Sequence, residues 1–157
     1  MADEIVHIPL TQGYVAVIDA ADYPLVSRYS WHVAKRRSVI YAAASLPKAK
    51  TLLLHRLLLP DAVGVDHRDR DGLNNRRGNL RATTQGENLA NSPARVGRRF
   101  KGTEQRPSGT WTARIRAFGQ RVQLGTFATE EDAARAYDAV ALEVWGDFAL
   151  LNFPNRA

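Results

Sequence analysis

The sequence has no cysteine among its 157 residues. This absence excludes disulfide bonds, thiolate zinc sites and cysteine nucleophiles, and it fits a reducing compartment. No apolar run approaches the roughly 20 residues that cross a bilayer. The start, MADEIVHIPL, lacks a basic segment followed by a long apolar one, so an export signal is not expected. We therefore predict a cytoplasmic protein that is neither exported nor embedded in a membrane.

Acidic residues are in deficit. The chain has 16 Asp and Glu against 22 Lys and Arg, which gives a net charge of +6 and a pI near 10.1. Its apolar fraction is ordinary for a globular protein, and its length suits one domain or two small ones. Solubility alone can explain surface charge, but an excess of basic residues favours a polyanionic partner such as nucleic acid.

The first part of the chain contains segments with the composition of β-strands. EIVHIPL, GYVAVID and SVIYAAAS carry β-branched or aromatic residues between turn signals. A short helix is predicted in DAADYPLVSRY, with Asp19 or Asp22 as its N-cap and Pro24 near its start. The apolar run TLLLHRLLLP, closed by Pro60, is long enough for about two or three helical turns. We expect its leucines to face a core.

The middle of the chain contains a short predicted helix and a linker. In TTQGENLANSP, Thr84 is an N-cap candidate, Glu87 stands three residues on as the reciprocal cap, and Pro93 ends the segment. The segment NSPARVGRR follows, rich in Pro, Gly and Arg. Its composition predicts a domain boundary.

The C-terminal part predicts a three-stranded sheet packed on one helix. TWTARIRA alternates apolar and polar residues with the period of a half-buried strand, and RVQLGTF after the FGQ turn gives an antiparallel partner. In TEEDAARAYDAVALEVWG, Thr129 caps a helix, Asp132 closes the box and Gly146 ends it. The apolar stripe of this helix comprises Ala133, Ala136, Tyr137, Val140, Ala141 and Val144.

Charge in this C-terminal part is separated by sign. Residues 95–121 hold eight Arg and Lys against Glu104 alone, whereas residues 129–147 hold six acidic residues against Arg135 alone. A solvated surface usually mixes its signs. If the apolar residues of the first strand face the helix, the opposite, exposed sheet face carries Arg114, Arg116, Arg121 and Gln123. A two-stranded ribbon of this kind fits the DNA major groove.

Residues 65–91, VDHRDRDGLNNRRGNLRATTQGENLAN, mix carboxylates, histidine, arginine and asparagine. A calcium loop is excluded, because its first position would be His67 and its last Gly78 instead of Glu. A zinc site is excluded by the missing cysteines and by the scattered histidines. A hard divalent cation held by oxygen remains, for which Asp66 and the amide oxygen of Asn88 are suitable ligands.

His67 directly follows Asp66. In an extended segment the two side chains point to opposite sides, so the imidazole cannot simply join the same ligand cluster. A lone histidine is often structural. A neutral imidazole at this place is also suited to take a proton from an attacking water, while a cation neutralises charge on a scissile phosphate.

At these residues the chain resembles the HNH homing endonucleases of phages, in the type whose nuclease domain precedes an Apetala-two/ethylene-response-factor (AP2/ERF) DNA-binding domain. The resemblance covers essentially the whole chain. LLLHRLLLP, VDHRDRDGLNNRRGNLR and QGENLAN follow the nuclease pattern in order. FKGTEQRPSGTWTARIR, LGTFATEEDAARAYDAVA and LNFP follow the DNA-binding pattern.

The resemblance implies an α+β fold. A ββα-metal nuclease domain, preceded by a small β-rich region, would be followed by a three-stranded antiparallel sheet packed on one helix. By position, Asp66 and Asn88 resemble the metal ligands and His67 the general base. Asn88 stands where many relatives have the last His of the motif. Asn79 resembles the central Asn, whose amide ties the hairpin loop and keeps His67 oriented.

Four further residues resemble supporting positions of the nuclease pattern. Asn75 and Arg81 are explained by packing or loop fixation about as well as by DNA contact. His55 and Arg56 occupy the HR position of the family, and the role of His55 stays open between phosphate contact and structure.

In plant members of the second family, Arg and Trp side chains on the sheet read DNA. The chain departs from them at Glu104, Ser108, Gln123 and Arg114, where plant members have Arg, Trp, Trp and Glu, so the plant target sequence is not expected to carry over. The docking mode is expected to remain. The DNA contacts predicted here are Lys101, Arg98, Arg99, Arg106, Arg114, Arg116, Arg121 and Gln123.

These inferences predict a DNA endonuclease of the HNH homing type. Residues 1–50 would form the β-rich region, 51–94 the nuclease core, 95–99 a basic linker and 100–157 the AP2/ERF-type domain. The expected cofactor is one divalent cation, Mg²⁺ in the first place or else Mn²⁺, and not zinc. The expected partner is double-stranded DNA, with the protein a monomer or weak dimer, in a bacterial host and phage-encoded.

Two other functions remain open from the sequence. One is a non-cleaving, sequence-specific DNA-binding regulator with a vestigial nuclease half. The other is a nuclease acting on RNA or on structured DNA in repair or packaging. The first is disfavoured because a scaffold could lose any of the four motif residues that the chain retains.

Overall fold

The structure, a computed structural model that describes residues 4–36 and 39–154, is an α+β fold. Its described strands form four small antiparallel sheets. The chain divides into two compact units after Thr83, upstream of the linker predicted at residues 95–99. Each unit is described by itself below. No helix in the described part of the chain is both long and apolar enough to cross a membrane.

The first unit begins with two small sheets. Strands β1 and β2 pair, and β4 lies between β3 and β5. The bounds are β1 Ile5–Pro9, β2 Val15–Asp19, α1 Tyr23–Val26, β3 Trp31–Arg36, β4 Val39–Leu46, β5 Lys50–Leu53 and α2 Leu54–Leu58, with 3-10 turns at Thr11–Gly13 and Ala20–Asp22. The three predicted strands and the short helix near Pro24 are confirmed.

The apolar run at residues 51–60 is predicted to form one helix, but in the structure it is part strand and part helix. Its first half completes β5, and only Leu54–Leu58 is helical. Leu54 and Leu58 are buried, which confirms that the run supplies core. The buried cluster of this unit comprises Ile8, Leu10, Ala16, Ile18, Val26, Trp31, Ala42, Ala44, Leu54, Leu58, Val65 and Leu80.

A hairpin closes the first unit. Strand β6, Gly64–His67, pairs antiparallel with β7, Leu80–Thr83. The long connection between them is fixed to β2, because Val17 N–H donates to Leu73 O at 2.9 Å and Asn75 N–H donates to Val17 O at 2.7 Å. Two backbone hydrogen bonds therefore attach the connection to β2.

The second unit confirms the predicted sheet on one helix. Its bounds are α3 Gln85–Ala90, β8 Thr103–Gln105, β9 Trp111–Ala117, β10 Gln120–Phe127 and α4 Glu130–Trp145, with a 3-10 turn at Gly146–Phe148. The sheet order is β10-β9-β8. Ile115 of β9 packs with Tyr137 and Ala141 of α4 in the core.

Both helix N-termini of this unit are capped as the sequence predicts. Thr84 and Glu87 form a reciprocal capping box at α3. At α4 the Thr129 hydroxyl accepts from the Asp132 N–H at 3.1 Å. Such caps stabilise a helix by about 1 kcal/mol each.

Asp138 has a structural role that its place among the acidic residues of α4 does not reveal. It is buried, and its carboxylate accepts from Asn152 N–H at 2.9 Å, from Asn152 Nδ2 at 2.9 Å and from Phe153 N–H at 2.8 Å. Asp138 thereby fixes the LNFP segment to the helix.

Gly102 gives the first testable prediction. A Cβ at this position would lie 2.0 Å from the Tyr137 ring, and its φ is +81°. Gly102→Ala is expected to destabilise the protein by about 2–4 kcal/mol, from overpacking and left-handed strain together. Gly109→Ala is the matched control, because Gly109 has φ +85° and no atom within 4 Å of the added Cβ. Urea unfolding measures both, and equal losses would contradict the role of the Tyr137 contact.

Candidate functional site

Strand β6 carries the Asp66 and His67 side chains. Both residues are buried, and as neighbours on one strand they point to opposite faces. Asp66 pairs in register with Arg81 of β7. Its Oδ2 accepts from Arg81 Nε at 2.8 Å and lies 2.7 Å from Nη2. Arg81 therefore holds the carboxylate from the neighbouring strand.

Asn75 contacts the His67 ring. It is fully buried, its Nδ2 donates to Gly72 O and Leu73 O, and its Oδ1 lies 3.4 Å from His67 Nε2. Since the amide nitrogen donates to two carbonyls, the amide oxygen faces His67 as an acceptor. This arrangement favours the tautomer with the proton on Nε2 and the lone pair on Nδ1.

The surroundings of His67 keep its imidazole neutral. Burial lowers the pKa of His67, and this effect exceeds the opposing influence of the Asn75 hydrogen bond and of the carboxylates of Asp69, Asp66 and Asp71. A neutral imidazole at neutral pH can accept a proton.

His55 lies beside His67. It is 6% exposed, and the two rings meet edge to face, with centroids 5.1 Å apart and planes at 87°. The Tyr41 ring is 5.4 Å from His55 and 6.0 Å from His67. Burial, followed by the neighbouring His67, Arg56 and Arg36 charges, lowers the pKa of His55 to about 3. His55 is therefore a neutral ring packed in the interior.

Arg56 binds the backbone. Its Nη1 donates to Ala62 O at 2.7 Å and its Nη2 to Val63 O at 3.0 Å. These carbonyls immediately precede β6, so Arg56 holds the chain where it enters that strand.

Asn79 ties the hairpin connection together. Its Oδ1 accepts from Asp69 N–H at 3.1 Å, and its Nδ2 donates to Asp69 Oδ1 at 2.9 Å and to Asn74 O at 2.7 Å. The direct hydrogen bond to the His67 ring comes from Asn75, which the sequence places only among the supporting residues.

Two arginines of the connection pair with carboxylates that lie more than 50 positions away in the sequence. Arg76 Nε donates to Asp19 Oδ1 at 2.9 Å. Arg77 donates to both oxygens of Asp22, and its Nη1 donates to Leu58 O at 3.1 Å. Arg76 and Arg77 therefore bind parts of the first unit to each other, while their side chains stay 38% and 50% exposed.

Asn88 lies on α3 of the second unit and is exposed. Across residues 4–36 and 39–154, no group of three or more His, Asp or Glu is placed to hold a metal ion. Carboxylate and amide oxygens, such as those of Asp66 in the first unit and Asn88 in the second, are hard donors of the kind that Mg²⁺ and Mn²⁺ prefer.

The basic face of the second unit follows from the register of its sheet. Arg116 pairs with Arg121 and Arg114 with Gln123, and residues directly opposite on antiparallel strands share a face. Arg116 and Arg121 are exposed. Arg114 forms an ion pair with Glu104, which partly neutralises it.

The other predicted DNA contacts lie outside this set of paired residues. Arg106 is exposed and its Nη1 donates to Thr126 Oγ1 at 3.3 Å. Arg98 donates to Thr103 O at 2.5 Å. Arg99 lies 2.7 Å from Glu131 and over the Phe100 ring.

Lys101 has a different environment from the one expected of a DNA contact. Its Nζ donates to Leu89 O at 3.0 Å, to Ala90 O at 2.5 Å and to Ser92 O at 2.7 Å. Burial lowers the pKa of Lys101 to about 8, with Asp138 opposing the shift. The ammonium thus binds the last carbonyls of α3, the end of a helix that attracts positive charge.

Comparison with known proteins identifies relatives of both parts of the chain. An uncharacterized HNH endonuclease of Acanthamoeba polyphaga mimivirus is 29% identical over 161 residues, which cover 96% of this chain and 82% of that protein. An AP2/ERF and B3 domain-containing protein of Oryza sativa subsp. japonica is 47% identical over 68 residues. Ethylene-responsive transcription factor 1 of Solanum lycopersicum is 48% identical over 63 residues.

The plant relatives match only the C-terminal part. The chain covers 19% of the rice protein and 26% of the tomato protein. No protein-family model matches the chain.

Proposed function

We propose that the chain is a DNA endonuclease of the homing type, because it is similar to an HNH endonuclease over 96% of its length and to AP2/ERF proteins over its C-terminal part. It hydrolyses phosphodiester bonds in duplex DNA through a single divalent cation and a histidine general base. The observation that carries the proposal is the buried Asp66–His67 pair on β6, with the His67 ring held neutral by burial and contacted by Asn75.

In the proposed reaction His67 acts through Nδ1. Asn75 Oδ1 accepts a hydrogen bond from the protonated Nε2 of His67. The lone pair on Nδ1 therefore takes a proton from the attacking water. Asp66 and Asn88 would hold the cation, and Asn79 would keep the hairpin connection in place. When bound, the cation supplies neutralisation of charge on the scissile phosphate and the leaving oxygen.

DNA binding is assigned to the second unit. The exposed Arg116 and Arg121 are paired across β9 and β10, which places two guanidinium groups side by side on one face of the sheet. Such a face suits phosphate and guanine edges in the major groove. Lys101 is left out of the proposed contacts, because its ammonium already binds backbone carbonyls.

The proposal is tested with supercoiled plasmid. Incubation with Mg²⁺ or Mn²⁺ is expected to nick or linearise it, and EDTA to prevent this. Retained binding without cleavage in either metal would support the non-cleaving regulator instead. Cleavage of RNA or branched DNA in preference to plasmid would assign a different substrate.

A second prediction concerns the arginine pair. Arg116→Ala and Arg121→Ala are each expected to weaken duplex binding about tenfold, because each removes a charge-assisted contact worth about 1.4 kcal/mol. Each should also lower the slope of log affinity against log salt by about 0.9 per lost phosphate contact. Fluorescence anisotropy at several salt concentrations measures both quantities.

Arg135→Ala is the matched control for these substitutions. Arg135 is exposed in the same unit but lies on the acidic helix α4, over the Phe153 ring at 4.7 Å. We expect its affinity and salt slope to equal those of the wild type. If Arg135→Ala weakens binding as much as Arg116→Ala does, the sheet face is not the DNA contact.

A further inference from the structure

The rings of His55 and Tyr41 both lie beside the His67 ring. The His55 and His67 planes are at 87°, with centroids 5.1 Å apart, which lies within the range of a stabilising edge-to-face contact. The hydrogen bond that His67 Nε2 donates to Asn75 Oδ1 is long, at 3.4 Å, and long hydrogen bonds constrain orientation weakly. The edge-to-face contact is therefore a restraint on the orientation of the imidazole beside its hydrogen bonding.

The backbone of the hairpin connection approaches the Tyr41 ring closely at Gly72. A Cβ at Gly72 would lie 2.3 Å from Ile40 O and 2.7 Å from the Tyr41 ring. The hairpin connection thus lies directly against β4 at Ile40 and Tyr41. Protein interiors are close-packed and transmit such constraints.

Helix α2 holds β6 at both of its ends. Arg56 binds the carbonyls of Ala62 and Val63 just before the strand, and His55 packs on His67 where the strand finishes. The adjacent residues His55 and Arg56 therefore contact the same strand. Arg56 binds the residues before its first position, and His55 packs on its last side chain.

We propose that His55 is a positioning residue for His67, whose ring fixes the orientation of the His67 imidazole by edge-to-face packing supported by Tyr41. This rests on the proposed role of His67 as general base. A contact made by the ring, and not by a ring nitrogen, predicts that another aromatic ring can replace it.

The test compares His55→Phe with His55→Ala in the full chain, without metal and with it. In metal-free protein, ¹H–¹³C spectra follow the His67 Cε1–H signal, assigned by its loss in His67→Gln. His55→Ala is expected to shift and broaden this signal, whereas His55→Phe keeps one sharp signal. His55→Leu repeats the comparison at nearly unchanged volume, should the cavity of the Ala variant unfold the protein.

Nicking kinetics give the second readout. His55→Ala is expected to lower kcat by about ten- to a hundredfold, the loss that small misplacement of a reacting group causes, with KM for DNA unchanged. His55→Phe should restore most of kcat. His7→Ala, at an exposed histidine on β1, should match the wild type in both readouts.

Three results would overturn the proposal. They are an unmoved His67 signal in both His55→Ala and His55→Leu, a His55→Phe variant as impaired as His55→Ala, and a rise in KM in place of the fall in kcat. If the wild type cleaves no DNA, the proposed function fails, while the spectra still decide whether His55 orients His67.

Discussion

His67→Ala is expected to lower the rate of metal-dependent plasmid nicking by about a hundred- to ten-thousandfold, the contribution of a positioned general base. The imidazole is buried and neutral, with the lone pair favoured on Nδ1 by the Asn75 contact. Its removal takes away the proton acceptor without touching the basic sheet face of the second unit. DNA affinity, measured by anisotropy in EDTA, should therefore remain near that of the wild type.

His7→Ala again serves as the control, and it should nick plasmid at the wild-type rate. The proposed mechanism is wrong if His67→Ala cleaves as the wild type does. Loss of DNA binding together with cleavage would show instead that the substitution unfolds the protein, which circular dichroism measures directly.

Asp66→Ala is expected to destabilise the protein by about 3–5 kcal/mol, because it removes the carboxylate from a buried ion pair and leaves the charge of Arg81 behind. The side chains of Arg81 and Asp66 are 9% and 8% exposed. The double variant Asp66→Ala/Arg81→Met removes both charges and should recover most of the stability. Urea unfolding measures the free energy of unfolding for each.

The double variant also separates stability from catalysis. If Asp66 is a metal ligand, Asp66→Ala/Arg81→Met is stable yet does not nick plasmid, and recovery of nicking would exclude the ligand role. Glu131→Ala is the ion-pair control, because the Arg99–Glu131 pair is 66% and 39% exposed. An exposed pair contributes about 1 kcal/mol or less, so a loss at Glu131 equal to that at Asp66 would contradict the effect of burial.

The elements that the sequence predicted well depend on residues close together in the chain. The strands β9 and β10 and the caps Thr84 and Thr129 each involve residues only a few positions apart, and all four are present in the structure. Burial follows the predicted alternation only in part, because Thr112 is buried and Val122 is 44% exposed. Strand β3 was missed, because WHVAKR mixes a basic end with its apolar residues. The leucine run at residues 51–60 predicts one helix where the structure has a strand end and a short helix, because an apolar run has no period that separates a strand from a buried helix.

The partners of the candidate site are distant in sequence, and no local pattern indicates them. Adjacency alone places Asp66 and His67 on opposite faces of one strand, but His55 meets His67 only because α2 packs beside β6. Arg76 and Asp19 are 57 positions apart. Pairing across such separations depends on the fold, since any of the many carboxylates could have been the partner.

The hydrogen bonds from Lys101 to the end of α3 determine where the chain can be divided for a domain exchange. A helix of six residues is far too short to persist by itself in water, and here its end is bound by Lys101 while Leu150 N–H donates to Ala90 O. A fragment cut at the predicted linker would keep α3 but lose both supports. A chimera that exchanges the DNA-binding module therefore has to keep α3, which carries the proposed ligand Asn88, together with Lys101 and Leu150.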